Sequence, residues 1–225
     1  MSKVFSHSGA TGDIIFSLPT IRAMGGGHLV ITTGNYIMQQ RAEAVKPLLE
    51  AQPYITGVSI GEAPAGSINL DKFRQYAGHH NNLVEAHFKG QGMPVESSWR
   101  DGWLTVPELS QLKPYCCIHW TSNYEDPDFD WSAEVNYLTG LSEEVYIIGT
   151  SAERHEFMKR FGPVMFADVD FLRAAQMIKQ AVMFTGCYSS MSTIAMGLGR
   201  EYRLVQAPGH TCSSLLMPRE IIVNL

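Results

Sequence analysis

Residues 3–24, KVFSHSGATGDIIFSLPTIRAM, decide the fold. A short apolar strand from Lys3 to His7 runs into the polar, glycine-bearing turn Ser8 to Asp13 and then into a stretch with helical spacing of apolar residues. The pattern repeats at once: HLVITTG (28–34) reads as a strand and YIMQQRAEAVKPLLEAQ (36–52) as a helix closed by Pro53. ITGVSIGE (55–62) reads as a third strand. Strand, helix, strand, helix is the rhythm of a parallel sheet covered by helices. From Ile68 to Gln91 the spacing predicts mostly helix, with Asn69 and Asp71 as caps and Phe73, Tyr76, Leu83, Val84 and Phe88 as apolar anchors.

The rhythm then stops and restarts. Met93, Pro94, the segment Trp99 to Trp103, Pro107 and Pro114 break both periodicities, which puts a domain boundary near Leu112. Beyond it PYCCIHW (114–120), EVYIIGT (144–150), VMFTG (182–186) and YRLVQAP (202–208) read as strands. They alternate with helices at 131–141, 151–162, 170–181 and 189–199. The expectation is an α/β protein of two Rossmann-like lobes, residues 1–112 and 113–225, facing a cleft.

Composition supports this. In 225 residues, 45% hydrophobic content is enough to fill two compact cores and excludes a disordered chain. No apolar run reaches the roughly 18 residues of a membrane span, and the start MSKVFSHSGATGD lacks signal-peptide character, so a soluble, cytoplasmic protein is expected. Lys and Arg total 17 against 22 Asp and Glu, without a block of one sign. A broad electrostatic grip on nucleic acid is therefore not written into the composition, although a local basic groove remains open. Cys116, Cys117, Cys187 and Cys212 form no C-x-x-C pair and read as reduced, buried thiols.

The turn Ser8 to Asp13 is the first chemical candidate. Gly9 and Gly12 let backbone amides face outward beside Thr11, and the following helix start favours an anion. The turn is neither G-x-G-x-x-G nor a lysine-bearing phosphate loop, and Asp13 can equally be a helix cap. Together with the following helices, GATGDIIFSLPTIRAM and YIMQQRAEAV resemble the opening of the bacterial lipopolysaccharide heptosyltransferases, glycosyltransferase family nine. The second half is similar as well: CIHWTSN, a helix at Trp131, VYIIGTSAERHEF, then FLRAAQMIKQAVMFTGCYSSMSTIAMGLG. Both ends match in order, with residues 60–112 matched weakly.

The resemblance implies a GT-B fold, a nucleotide diphosphate sugar as donor, a hydroxyl acceptor, inversion at the anomeric carbon and no metal cofactor. Hexosyl or heptosyl transfer to a glycan or lipopolysaccharide-type acceptor is the implied activity. It places the family's general base on Asp13, with Gly9, Thr11 and Gly12 on a phosphate or acceptor-side loop. A carboxylate at a helix start is kept ionised and weakly basic, so proton transfer is expected to be late. Donor contacts fall on His119, Thr121, Ser189, Ser190, Ser192 and Thr193, and Glu153 joins them by its place one turn past the strand VYIIG, where a Rossmann-like lobe often holds a ribose or base. Several departures stand out: Tyr188 replaces the family's acid, Thr193 its His, and Phe129 and Asp130 precede Trp131 where a Lys is expected. Two further readings therefore stay open, a glycosyltransferase acting on a hydroxymethylated pyrimidine of DNA and a non-catalytic nucleotide-sugar-binding module. An NAD-dependent oxidoreductase is disfavoured, because neither half carries G-x-G-x-x-G with a following acid.

Other features carry rival readings. Thr150 to Glu153 fits a capping box as well as a ribose contact. The acidic run Glu125 to Asp130 contains D-x-D spacing, but no apolar strand leads directly into it, and a solvated loop accounts for it better. Trp99, Arg100 and Trp103 suit stacking on a ligand, or packing at a hinge, which is preferred. His79, His80 and His87 lack a completing carboxylate or thiol and read as a polar helix face.

Overall fold

The computed structural model describes residues 2–77, 82–110, 113–167, 169–205 and 220–222. The chain divides into two compact units between Val106 and Pro107; the expected boundary residue Leu112 lies outside the described residues, as do His79, His80 and Cys212.

Unit one contains β1 (Val4–His7), α1 (Thr11–Ala23), β2 (Gly27–Ile31), α2 (Gln39–Glu50), β3 (Ile55–Ile60), β4 (Ile68–Asn69), a 3-10 helix Leu70–Gln75, α3 (Leu83–Gly90) and a 3-10 turn Ser97–Asp101. Its sheet is parallel throughout, in the order β3-β2-β1-β4. The stretch 68–91, expected to be mostly helical, holds a two-residue strand, a 3-10 helix and the short α3. Asn69 caps the 3-10 helix by accepting from the Asp71 amide at 2.8 Å, and Asn82 caps α3 in the same way through Val84. Two local caps thus divide what apolar spacing alone joins.

Helix α1 is buried over Ile14, Ile15, Phe16, Leu18 and Ile21, and it carries Pro19 inside. Pro19 has no N–H, so the Ile15 carbonyl one turn back loses its helical partner. The indole Nε1–H of Trp103 takes that place, donating to Ile15 O at 3.0 Å. Gln52, also buried, binds both the amide and the carbonyl of Thr105 through its side chain, while the Tyr54 hydroxyl donates to the Trp103 carbonyl at 2.7 Å. Residues 103–105 are therefore stitched to unit one, which is why the division falls after Val106 rather than earlier. Trp99 and Trp103 are buried here and Arg100 lies over the Trp99 ring, so neither indole face is presented to a ligand.

Unit two contains β5 (Tyr115–His119), α4 (Trp131–Leu141), β6 (Glu144–Ile148), α5 (Ser151–Phe161), β7 (Met165–Ala167), α6 (Phe171–Gln180), β8 (Phe184–Cys187), α7 (Ser190–Gly197), β9 (Tyr202–Val205) and β10 (Glu220–Ile222). All six strands are parallel, in the order β10-β9-β8-β5-β6-β7. Counted within the unit this is 3-2-1-4-5-6 read from its other edge, the dinucleotide-binding arrangement of doubly wound sheets, with its switch point between β5 and β8. The short edge strands β7 and β10 are not apparent from the sequence pattern. Cys116, Cys117 and Cys187 are buried free thiols. Asp130, Thr150, Asp170 and Ser189 cap four successive helices of the unit with their side chains. No described helix is long and apolar enough to cross a membrane.

Replacing Trp103 by Phe keeps the ring but strands the Ile15 carbonyl. The expected loss is about 1–3 kcal/mol of stability, measured by urea unfolding of the whole chain, whereas Trp99→Phe removes no such bond and is expected to cost less.

Candidate functional site

In an open parallel sheet, ligands sit beyond the carboxyl ends of the strands where the order reverses. Unit one reverses between β1 and β4. The chain leaving β1 makes the turn to α1, the chain leaving β4 makes the 3-10 helix, and the two are tied together. The Ser8 amide donates to both oxygens of Asp71 at 3.1 and 3.2 Å, and the Ser8 hydroxyl donates at 2.7 Å.

Asp13 sits in the first turn of α1, where its Oδ2 accepts the Ala10 N–H at 3.1 Å. One oxygen thus performs the capping role, and no hydrogen bond among the described residues goes to the other. Burial pushes the Asp13 carboxyl above its ordinary pKa, the nearby Asp71 adds to this, and the Ala10 amide and Arg74 oppose it. The weakly basic carboxylate expected from a helix start is therefore revised: desolvation makes Asp13 a stronger base.

Gly9 is fixed by contact. A Cβ there would lie 2.5 Å from His7 Cε1 and 2.9 Å from both Cβ and Oδ2 of Asp13, so any side chain displaces the imidazole or the carboxylate. Thr11 is buried, and its hydroxyl has no partner among the described residues. Gly12 is half-buried beside Asp13.

Beneath the turn lies a buried aromatic stack. The Gly9 amide donates to His7 Nδ1 at 2.8 Å, which makes Nδ1 an acceptor and places the proton of the neutral ring on Nε2. His87 is stacked on Phe73 with centroids 4.2 Å apart and lies 5.3 Å from the His7 ring. The polar helix face expected at His87 is thus wrong: the ring is fully buried and packed on Phe73, with the Asp13 backbone as its polar neighbour. Burial, helped by Arg74, drives the His7 pKa down to about 3, and burial with His7 beside it drives His87 well below its ordinary value.

Unit two gathers its residues at the carboxyl edge of β5, β6 and β8. His119, at the end of β5, donates from Nδ1 to the Ile148 carbonyl at 2.9 Å. A Cβ on Gly149 would lie 3.1 Å from Glu153 Oε2 and 3.4 Å from His119 Nδ1, so the two side chains converge on that glycine. The capping box is formed: Glu153 Oε2 accepts from the Thr150 amide at 2.9 Å and its hydroxyl at 2.7 Å. Burial raises the Glu153 pKa, but the Thr150 bonds, His119 and a hydrogen bond with Thr121 outweigh it and hold the carboxyl below its ordinary value. His119, Thr121 and Glu153 are therefore brought together.

The serine turn is more inward than its composition suggests. Ser189 Oγ accepts from the Met191 amide at 3.1 Å, and the hydroxyls of Ser192 and Thr193 donate to the Ser189 carbonyl at 2.7 and 3.1 Å. Ser192 and Thr193 are buried, which leaves the half-buried Ser190 as the hydroxyl not used in this cap. Tyr188 meets Tyr124 edge to face at 6.2 Å. The acidic run is spent locally: Glu125 pairs with Arg160 at 2.8 Å, Asp126 accepts the Asp128 amide and Asp130 caps α4. No group of three or more metal-ligating side chains occurs among the described residues.

Asp71, Arg74 and Tyr36 are not singled out as functional by the sequence. Arg74 pairs with Asp71 at 3.4 Å and lies over both the Tyr36 and Phe73 rings. The signal that would have found them is the switch point itself, hidden because β4 is only two residues long.

No family model matches the chain, and no curated protein matches it in sequence. Solved structures do match. A family 9 glycosyl transferase from Veillonella parvula DSM 2008 superposes with a TM-score of 0.72 at 9% identity, over 99% of this chain and 85% of the other. The E. coli heptosyltransferase WaaC, solved with ADP-2-deoxy-2-fluoro heptose, gives 0.64 at 12% identity, covering 100% and 93%. E. coli ADP-heptose lps heptosyltransferase II gives 0.61 at 11% identity, covering 100% and 91%. The resemblance read from the turns is thus matched in three dimensions: the fold is α/β and GT-B-like, built of two Rossmann-like units.

The buried histidines make acid stability a direct check on this site. Both have pKa values lowered in the folded state, so the unfolded chain binds more protons below its histidine pKa of about 6.5. Stability is expected to be flat above that pH and to fall below it by up to about 1.4 kcal/mol per pH unit for each histidine. Asp13, shifted upward, has the opposite sign in a lower range. Urea unfolding at pH 7.5 and 5 measures the slope, and His87→Phe is expected to flatten it.

Proposed function

We propose that the protein is a glycosyltransferase that moves a sugar from a nucleotide diphosphate sugar to a hydroxyl acceptor, with inversion and without a metal. The observation that carries this reading is Asp13: a carboxylate at the β1/β4 switch point, half-buried, raised in basicity, held by one oxygen and walled by Gly9. In the proposed step the acceptor oxygen attacks the anomeric carbon. The bond from that carbon to the diphosphate oxygen breaks, the electron pair leaves with the diphosphate, and Asp13 takes the acceptor's proton. Attack from the face opposite the leaving group inverts the centre. A stronger base than a solvent-exposed carboxylate lets proton transfer begin earlier along this path.

On the donor side, the start of α7 offers the half-buried Ser190 to a diphosphate, and Glu153 with His119 and Thr121 offers the polar contacts that ribose hydroxyls require. The likeness in fold to proteins solved with ADP-heptose ligands supports a nucleotide-sugar donor. A glycan is the acceptor class that goes with this reading. The second reading, a nucleotide-sugar-binding module without catalysis, is favoured by one observation: Ser192 and Thr193 are committed to the helix cap.

A thermal-shift screen of nucleoside diphosphates and their sugars is expected to yield a stabilising donor. Asp13→Asn is then expected to keep that shift and lower kcat about 10²–10⁴-fold, the contribution typical of a general base. Undiminished turnover in the variant would take Asp13 out of the mechanism, and binding without transfer by the wild type would establish the binding module. Gly9→Ala, which pushes on the carboxylate, is expected to lower kcat at least about tenfold while leaving donor affinity within a factor of about two.

A further inference from the structure

Three consecutive backbone amides of the turn between β1 and α1 bind three different side chains. The Ser8 N–H goes to Asp71, the Gly9 N–H to His7 Nδ1 at 2.8 Å and the Ala10 N–H to Asp13 Oδ2 at 3.1 Å. In a glycine-bearing turn before a helix, such amides commonly converge on a bound anion. Here the protein takes them up itself, so the turn is built to hold its own side chains. The middle bond is the unusual one. His7 lies on β1 and is 1% exposed, with the rings of Phe73 and His87 at 5.6 and 5.3 Å and Asp71 Oδ1 at 3.4 Å from Nδ1. Burying an imidazole costs free energy that burying a phenylalanine does not. What the imidazole offers in return, and a phenylalanine cannot, is an acceptor at Nδ1 for the Gly9 amide.

Gly9 passes this hold to Asp13. A Cβ at residue 9 would lie 2.5 Å from His7 Cε1 and 2.9 Å from Asp13 Oδ2, so the glycine backbone is wedged between imidazole and carboxylate. Letting the Gly9 amide leave His7 would remove the wall against which the carboxylate rests. Oδ2 would keep its bond to Ala10, while the other oxygen would lose its fixed direction. We propose that His7 is a positioning residue for Asp13, holding through the Gly9 amide the backbone that determines where the carboxylate points. Its meaning for transfer rests on the reading of Asp13 as the base, whereas the placement itself belongs to the turn without any ligand. A reacting group displaced by roughly 1 Å can cost about 10²-fold in rate, which gives so short a chain of contacts a large effect.

The test compares three substitutions of His7 in the full-length protein. His7→Asn sets a carboxamide oxygen close to where Nδ1 stands, His7→Gln moves that oxygen further out, and His7→Phe keeps a ring without an acceptor. Two readouts need no substrate: the Gly9 amide signal in ¹H–¹⁵N spectra, and the titration of Asp13 in protein carrying ¹³Cγ-labelled aspartate, assigned by its loss in Asp13→Asn. Wild type and His7→Asn are expected to share the Gly9 shift and the raised Asp13 pKa. In His7→Gln and His7→Phe the Gly9 signal is expected to move upfield and the Asp13 pKa to fall toward the ordinary carboxyl value as water enters the turn. With the nucleotide sugar selected by thermal shift, kcat is expected to fall about 10–100-fold in His7→Gln and His7→Phe and to stay within about threefold in His7→Asn. The donor KM is expected to stay within about twofold in all three. Comparing His7→Asn with His7→Gln decides the matter even where His7→Phe does not fold. An Asp13 titration in His7→Gln that matches wild type overturns the positioning, as does a kcat lost equally in His7→Asn and His7→Gln. The two readings fail separately. An Asp13 titration that moves as expected in a protein that transfers no sugar leaves the positioning and removes the base. Full kcat in His7→Gln, where Asp13→Asn is inactive, leaves the base and removes the positioning.

Discussion

The hydrogen bond from the Gly9 amide to His7 Nδ1 is the constraint on which the rest of unit one's functional edge depends. It turns the backbone inward immediately after β1, which brings Gly9 within contact distance of the Asp13 carboxylate and leaves no room for a side chain. It also makes His7 Nδ1 an acceptor, so the buried ring is neutral; it packs at a tilt against Phe73 and His87, with the Asp71 carboxylate 3.4 Å from that nitrogen. The burial that makes this tolerable is the burial that raises the basicity of Asp13. Packing and reactivity here have one cause.

The two units meet the problem of a ligand edge with different chemistry. In unit one a carboxylate, Asp71, reaches across the switch point and gathers the Ser8 turn and Arg74 around itself. In unit two the corresponding edge is held by helix caps: Ser189, Ser192 and Thr193 close on one carbonyl, and Glu153 closes on Thr150. A group used to cap a helix is oriented and partly desolvated before any ligand arrives, which preserves Glu153 as an anion while restricting what it can still accept.

Much of this architecture is legible in the sequence, for identifiable reasons. Unit two reads well because its helices are separated by β-branched and aromatic runs such as CCIH and VYII, and its caps lie at helix starts where Asp and Thr announce them. The stretch 68–91 misleads because Asn69 and Asn82, both turn-forming caps, lie within continuous apolar spacing. The convergence of His119, Thr121 and Glu153 is foreseeable from strand ends. Arg74 over Tyr36 is not, since it joins residues 38 positions apart through a strand order that sequence does not display. The burial of His87 is equally hidden, because it comes from the 3-10 helix Leu70–Gln75, whose apolar spacing is indistinguishable from that of a longer α-helix.

The indole bond from Trp103 to the Ile15 carbonyl bears on how the protein is to be dissected. A segment rich in Pro, Trp and Gly, lying between two alternating α/β stretches, invites the experimenter to cut within it. Pro19 makes that choice consequential: the first unit contains a helix that cannot satisfy its own backbone, and the missing donor is supplied from the far end of the supposed connector. An N-terminal fragment keeps these hydrogen bonds only when it runs through Thr105, and one ended at Pro94 would carry a defect in the helix whose first turn holds Asp13.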